Sequence, residues 1–490
     1  MAKGSVKGRA AGLLAAAAFL GGAAGGGLAD RDDLDLLVHA AAVAEGTGIA
    51  CGGDGAVVLF SSPFSYIPPE EAITAEDLLA KPFLANNVDL FRWEPAPETV
   101  SQFTATANIE NEAGDALARA TYNDQAAVES RTFRVFSADS PRPVNLTRYA
   151  VAFRSNADQA FPGPSVSADE IDPRVAALDG GTVYVWDSEQ ETFFSVFEYL
   201  LTPQDLSLEA PSVAMVTGRV RAHVPFRGVV TTGAEIRDVL VAFSGNGDPE
   251  SDNADGNSEI FLWSRRAFLD AAAPAGGVAY NGGILQVTHT SEGDCWGATV
   301  NRDGEVAFLS TADITGINPD GSVELFLWKG NRFRQLTNIT TGTIGAPRWS
   351  ANGRTLVFEA AADLVRANPD ESSEIFSWDG RSIRQLTRGT TGASTSPSVD
   401  PSGRLVAFTT TADLDGLAYG STAPEVVVCN RGGKSMRQVT LTEDGGENES
   451  PLLTTDERGT VLTWVSASNF DGRNSSGLRR IWRTKVAAGQ

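Results

Sequence analysis

The sequence predicts an all-β fold, a seven-bladed β-propeller built from four-stranded antiparallel blades. Three observations predict it. A unit of 50 residues repeats in the C-terminal half, marked by Phe308, Phe358 and Phe408. Each unit holds four short β-branched or aromatic runs divided by turn residues, the pattern of one antiparallel meander. The two ends of the chain each hold part of a unit, so that together they make a whole one.

The elements follow in order within each period. Arg334-Gln335-Leu336-Thr337, Arg384-Gln385-Leu386-Thr387 and Arg437-Gln438-Val439-Thr440 are one recurring strand, with a weaker copy at Gln286-Val287-Thr288. A polar loop follows, then a glycine turn: Asp303-Gly304, Asn352-Gly353, Ser402-Gly403 and Arg458-Gly459. Next comes an apolar run, then a loop opening near Asp313, Asp363 or Asp413, and then Glu324–Trp328, Glu374–Trp378 or Glu425–Cys429. Upstream, Ala56–Phe60, Ala150–Phe153 and Val239–Phe243 are matched with Asp89–Trp93, Val183–Trp186 and Glu259–Trp263; downstream, Thr460–Trp464 goes with Arg480–Thr484. Phe60, Phe153, Phe243, Phe308, Phe358, Phe408 and Trp464 thus anchor seven copies of the second strand. Units of this kind bury both faces only by packing on one another around an axis.

Closure is expected from the N-terminal segment. The last unit ends at Arg480–Thr484 without an outer strand, whereas Leu36-Leu37-Val38-His39 has no other unit to join. Val38 precedes Phe60 by 22 residues, the separation of Leu336 from Phe358 and of Leu386 from Phe408. Its strand would remove the open edges that invite aggregation. Trp93, Trp186, Trp263, Trp328 and Trp378 share one strand position, with Cys429 in the same place. Equivalent positions of this kind read as packing between blades.

Trp349-Ser350-Ala351-Asn352-Gly353-Arg354-Thr355-Leu356-Val357-Phe358 resembles the TolB-like propeller repeat, W-S-P-D-G-x-x-[ILV]-[AV]-F. Ala351 and Asn352 stand where the family has Pro and Asp, and Asn keeps the turn chemistry. The resemblance is specific in three repeats and extends over about residues 34–486 as a single propeller domain. It implies a binding or scaffold role. TolB itself carries a separate N-terminal α/β domain and a six-bladed ring, whereas this chain is expected to lack room for that domain and to carry seven blades.

The chain has 490 residues and a formal charge of -23, with 42% apolar and 21% charged residues. That balance is globular, and its acidity argues against nucleic acid as a partner, since no overall basic surface offers counterion release. Lys3, Lys7 and Arg9 precede an apolar run from Ala10 to Leu20, and Gly27-Leu28-Ala29 offers small residues for cleavage before Asp30. Residues 1–29 therefore read as a signal peptide, and the mature chain as exported, periplasmic or extracellular, without a membrane span and monomeric. Cys51, Cys295 and Cys429 fall in different repeats and read as small buried residues.

Topology assigns loops to two faces. Tight turns between the first and second strands, and between the third and fourth, share one face; the other carries the remaining loops. Insertions at 61–88, 104–147, 159–181 and 204–235 are expected mainly on that other face, with room for extra hairpin strands at 104–147 and 204–235. One more, at 264–284, belongs to the tight-turn face. Long loops on a rigid scaffold are where binding concentrates. Trp296, His289 and Asp294 are the candidate partner-contact residues there. Asp248, Asp252, Asp255, Asn257 and Glu259 offer hard oxygen ligands of the kind calcium takes. Because Asp313, Asn318, Asp320 and Glu324, then Asp363, Asn368, Asp370 and Glu374, repeat the arrangement, these residues read equally as caps of Asx turns.

No G-x-S-x-G, H-E-x-x-H, C-x-x-C or phosphate loop occurs. The expected function is a scaffold for a protein or polysaccharide partner. The competing reading is a carboxylate-dependent carbohydrate-active or other hydrolase on the same face, assisted by calcium.

Overall fold

In the computed structural model the described residues are 35–36, 49–62, 87–94, 99–104, 121–136, 142–155, 182–191, 193–196, 210–224, 227–247, 253–267, 283–389, 391–414, 417, 423–456, 459–470, 474 and 477–486. They are all-β apart from one helical turn at 265–267. The repeating sheet is an antiparallel meander: Cys295–Val300, Val306–Ser310, Glu324–Lys329 and Arg332–Gln335 lie side by side in chain order. The same order holds for Ser394–Val399, Leu405–Thr410, Glu425–Asn430 and Arg437–Gln438, and for Ser212–Val224, Gly228–Gly245, Glu259–Ser264 and Ile284–Gln286.

Three sheets depart from the plain meander. In one, the first strand is split into Thr343–Ile344 and Arg348–Trp349, both paired with Leu356–Ala361, which is followed by Glu374–Trp378 and Ile383–Gln385. Ile49–Cys51 to Thr99–Gln102 and Thr121–Val135 to Phe193–Ser195 are joined into one eight-stranded sheet by a short parallel contact, Asn87 with Thr121 and Val88 with Tyr122. At the C-terminal end the order is Asn448–Asp456, Gly459–Ser466 and Arg480–Val486, with Asp35–Leu36 at the edge. Asp35 lies opposite Arg483 and Leu36 opposite Trp482; Leu37, Val38 and His39 lie outside the described residues.

The anchor phenylalanines explain why these runs pair as they do. Each stands directly across from the third strand's central residue: Phe60 from Phe91, Phe153 from Tyr184, Phe243 from Phe261, Phe308 from Phe326 and Phe358 from Phe376. The five ring pairs stack with centroids 5.5–5.8 Å apart. Phe408 meets Val427, and Trp464 meets Trp482, at the same place. Burying such a pair removes several hundred Å² of apolar surface and adds about 0.5–1.5 kcal/mol of ring contact. Trp93, Trp186, Trp263, Trp328, Trp378 and Cys429 also occupy one register position, each opposite the residue two before the anchor.

The recurring Arg-Gln-[Leu/Val]-Thr strand acquires a physical role. Its threonine hydroxyl oxygen accepts the amide of Ile260, Leu325, Ile375 or Val426 at 2.8 Å. Thr337 and Thr440 donate in turn to the buried Glu324 and Glu425. Glu324, Glu374 and Glu425 also receive the amides of Ile339, Gly389 and Thr442 respectively, at 2.5–2.7 Å. Each glutamate thereby ties the outer strand to the connection leaving it. Burial pushes the Glu324 and Glu374 carboxyls up from their ordinary range, with their hydrogen bonds opposing the shift.

Two features were not visible as periodicity. The first strands carry bulges between Asp124 and Ala127, Trp296 and Thr299, Thr395 and Ser398, and Glu449 and Leu452. A residue in each has positive φ: Gln125, Gly297, Ser396 and Ser450, at 49–64°. A bulge bends and twists a strand locally, here in the strands that line the axis. At Gly297 a Cβ would stand 3.2 Å from that of Ala346 in the next sheet.

The second is a correction. Two of the insertions expected mainly on the face away from the tight turns, 104–147 and 204–235, form the extra hairpin strands for which they had room, but in their described parts these extend first-to-second-strand hairpins on the tight-turn face. Thr121–Val135 pairs with Val144–Ser155 as far as Val135 opposite Val144, and Ser212–Val224 with Gly228–Gly245 as far as Val224 opposite Gly228. The second strand begins two residues before Phe308 but nine before Phe153 and fifteen before Phe243. The overhangs reach roughly 20 and 40 Å at the ordinary rise of a strand. The remaining parts of those insertions, with 63–86, 156–181 and 268–282, lie outside the described residues.

Candidate functional site

Two surfaces emerge: a central channel, and the pair of long hairpins beside its tight-turn end. The channel, of about 690 Å³, is lined by the first strand of every sheet, among them Ile49–Cys51, Gln125–Glu129, Ser212–Met215, Trp296–Asn301 and Leu452–Leu453. Trp296 is half-buried on the channel wall and packs into the core shared with Leu309 and Ile344. It sits on the strand Cys295–Val300 itself, not on the loop leading in.

The channel narrows at the tight-turn end. A Cβ on Gly53 would lie 3.4 Å from Glu129 Oε1 and 3.5 Å from the Ala351 methyl across the axis. Asp54 beside it accepts hydroxyl protons from Ser130 and Thr132 and the Ala56 amide. Burial, reinforced by the Asp54 charge, pushes the Glu129 carboxyl from 4.5 up to about 8; Arg131 and Arg302 pull the other way. Folded protein therefore holds a proton there that the unfolded chain has released between those two values, so stability falls as pH rises through that window. Glu129→Gln is expected to flatten the dependence of melting temperature on pH from about 5 to 8.5; parallel curves for the two proteins would remove Glu129 as its source.

On the opposite face, His289 and Asp294 lie exposed on the connection between Ile284–Gln286 and Cys295–Val300. Asp294 accepts the Ser258 amide at 3.0 Å, and its own amide donates to Thr311. The structure brings Asn257 and Glu259 to the same connection. The Asn257 side-chain amide donates to Thr290 O and Gly293 O, and Glu259 accepts the Thr290 amide and hydroxyl. Asp255 is exposed, whereas Asp248 and Asp252 lie outside the described residues. Asn318 and Asn368 brace their own loops in the same manner as Asn253, through two carbonyls each. Among the described residues no three His, Cys, Asp or Glu side chains converge as a metal site would require.

The long hairpins are packed on one another. Phe133, Val135 and Leu146 enclose Ala234, the Phe136 amide donates to Thr231 O at 2.8 Å, and Arg148 Nε donates to Ala234 O at 3.0 Å. The Arg227 guanidinium lies over the Phe136 ring at 5.0 Å. At their base Arg265, buried, pairs with Asp187 at 2.9 Å and donates to Ile236 O, while Ile236 N donates to Glu189. This anchoring makes the pair a fixed projection. Its charge is unlike the rest of the chain: segments 130–148 and 217–237 hold eight arginines against Asp139 and Glu235 alone. The arginines are legible in the sequence, but their convergence depends on two hairpins distant along the chain lying together.

The thiols of Cys51, Cys295 and Cys429 are free, and burial pushes each up to about 12. Native protein at about pH 8 is expected to resist a thiol-reactive dye that labels all three once urea is added; rapid native labelling would overturn this.

These sheets make the chain a β-propeller. No family model and no curated protein matches the sequence. Among solved structures it is similar to TolB from Acinetobacter baumannii, at 12% identity over 75% of this chain and 81% of that one, with a TM-score of 0.34. It is also similar to an oligogalacturonate lyase in complex with manganese (10% identity, 90% and 88% coverage, TM-score 0.42) and to the β-propeller domain of the Trilobed protease from Pyrococcus furiosus (8%, 90% and 96%, 0.40). No helix among the described residues is long and apolar enough to cross a membrane.

Proposed function

We propose that this chain is an exported, monomeric seven-bladed propeller, closed by its N-terminal strand, that serves as a scaffold for a protein or glycan partner. The pairing of Asp35–Leu36 with Arg480–Val486 supports the closure. One observation carries the binding role: two long hairpins, tied at the base by Arg265 and to each other by Phe133, Ala234 and Arg148, stand out from the ring without adding to its closure. Holding such a surface rigid lowers the ordering cost of recognition.

The experiment is affinity capture from the native envelope or extracellular fraction, with the mature chain and a variant whose hairpins are cut back to short turns between Glu129 and Tyr149 and between Val216 and Asp238. A partner held by the first and lost from the second, at equal melting temperature, is the expected result. Equal capture by both would overturn the reading.

A further inference from the structure

The second long hairpin has one strand edge that no described strand pairs with. Ser212–Val224 stands at the end of its sheet and pairs with Gly228–Gly245 alone among the described residues. Arg219, Val220, Arg221, Ala222 and His223 are all exposed in succession, Val220 by 44%. A strand edge presents amides and carbonyls to which another extended chain can add. The register against the neighbouring strand shifts between Val220 and Arg221, but the extra residue, Thr232, lies on that neighbour, so alternation sets Arg219, Arg221 and His223 on one face and Val220 and Ala222 on the other.

We propose, building on the scaffold reading above, that this edge takes an extended acidic segment of a partner polypeptide by strand addition. Main-chain hydrogen bonds supply the affinity, and carboxylates at alternate positions meet Arg219 and Arg221. Charge selects the occupant. The two hairpins concentrate eight arginines on a chain of net charge -23, so an acidic strand is drawn in, while a second copy of the same edge is repelled. A row of amides and carbonyls in strand register matches a polypeptide rather than a polysaccharide.

The test uses the full mature chain, residues 30–490, and fluorescence anisotropy of a fluorescein-labelled decapeptide of alternating Glu and Thr. Saturable binding is expected, weakened about tenfold by R219E/R221E through two lost exposed ion pairs and two new repulsions, at unchanged melting temperature. Two further peptides, N-methylated at odd or at even positions, keep the charge; one of them is expected to lose binding. Full binding of both methylated peptides, or competition by polygalacturonate that matches the peptide's own, would overturn strand addition. So would unchanged binding by R219E/R221E. If the native partner is nevertheless lost on trimming the hairpins, the scaffold reading stands and only strand addition falls; if the trimmed chain still captures it, the scaffold reading falls.

Discussion

Trp482→Ala is expected to destabilise the protein by about 3–5 kcal/mol, the range for emptying a buried large side chain. Trp482 is fully buried, stands opposite Trp464, and meets the Phe470 ring edge-on at 5.0 Å. Its cluster includes Ala407 and Val428 from the preceding sheet, so the cavity would loosen the contact between two sheets as well as within one. A smaller effect works the other way: Trp482 Nε1 finds no acceptor among the described residues. Removing that N–H recovers about 1–3 kcal/mol, an offset already contained in the net range for emptying such a side chain. Trp482→Phe keeps most of the ring and discards the orphan, and should cost under about 1.5 kcal/mol. Urea unfolding of both variants measures the difference. An alanine variant within about 1 kcal/mol of the parent would show that this position is not part of the ring's main packing.

Glu425→Ala is expected to cost about 2–4 kcal/mol by stranding buried donors. Glu425 is fully buried; it accepts the Thr440 hydroxyl at 2.6 Å, the Thr442 amide at 2.7 Å and the Thr442 hydroxyl at 3.3 Å. None of these can turn to water without opening the sheet. The outer strand should loosen first, since Val439 N to Val426 O is then the main backbone link left beside the Arg437–Gln438 ladder. Amide exchange at Thr442 that stays as slow as in the parent, with an unchanged urea midpoint, would refute the assignment.

Trp482 and Glu425 also mark how far the repeat pattern reaches. Trp482 belongs to the third strand of the last unit, and Glu425 opens a third strand as Glu324 and Glu374 do, so both are visible as repeat positions. The repeat does not reveal what Glu425 does there. The glutamate, the threonine of the outer strand and the amide beyond it form one hydrogen-bonded unit, closed only when strands 15 residues apart come together. The bulges at Gln125, Gly297, Ser396 and Ser450 are illegible for a different reason. Four different backbone contexts and three residue types adopt the same turn, so composition carries no common mark. Trp296 is legible in the sequence only as a candidate contact residue, and the fold gives it a place on the wall of the channel.

By itself the sequence determined the strand types, their order and the recurring anchor and tryptophan positions, because all of these follow from side-chain period and turn chemistry within about 50 residues. The tertiary structure alone decided on which face the hairpins within 104–147 and 204–235 stand and how they pack on each other. Whether residues 121–155 and 212–245 make loops on one face or hairpins on the other depends on how far the first two strands keep pairing beyond the ring. That in turn depends on Phe133, Leu146 and Ala234 finding one another, and on Asp187 reaching Arg265 over 78 residues. Such contacts gain their free energy only after distant segments have been brought together, so no local pattern records them.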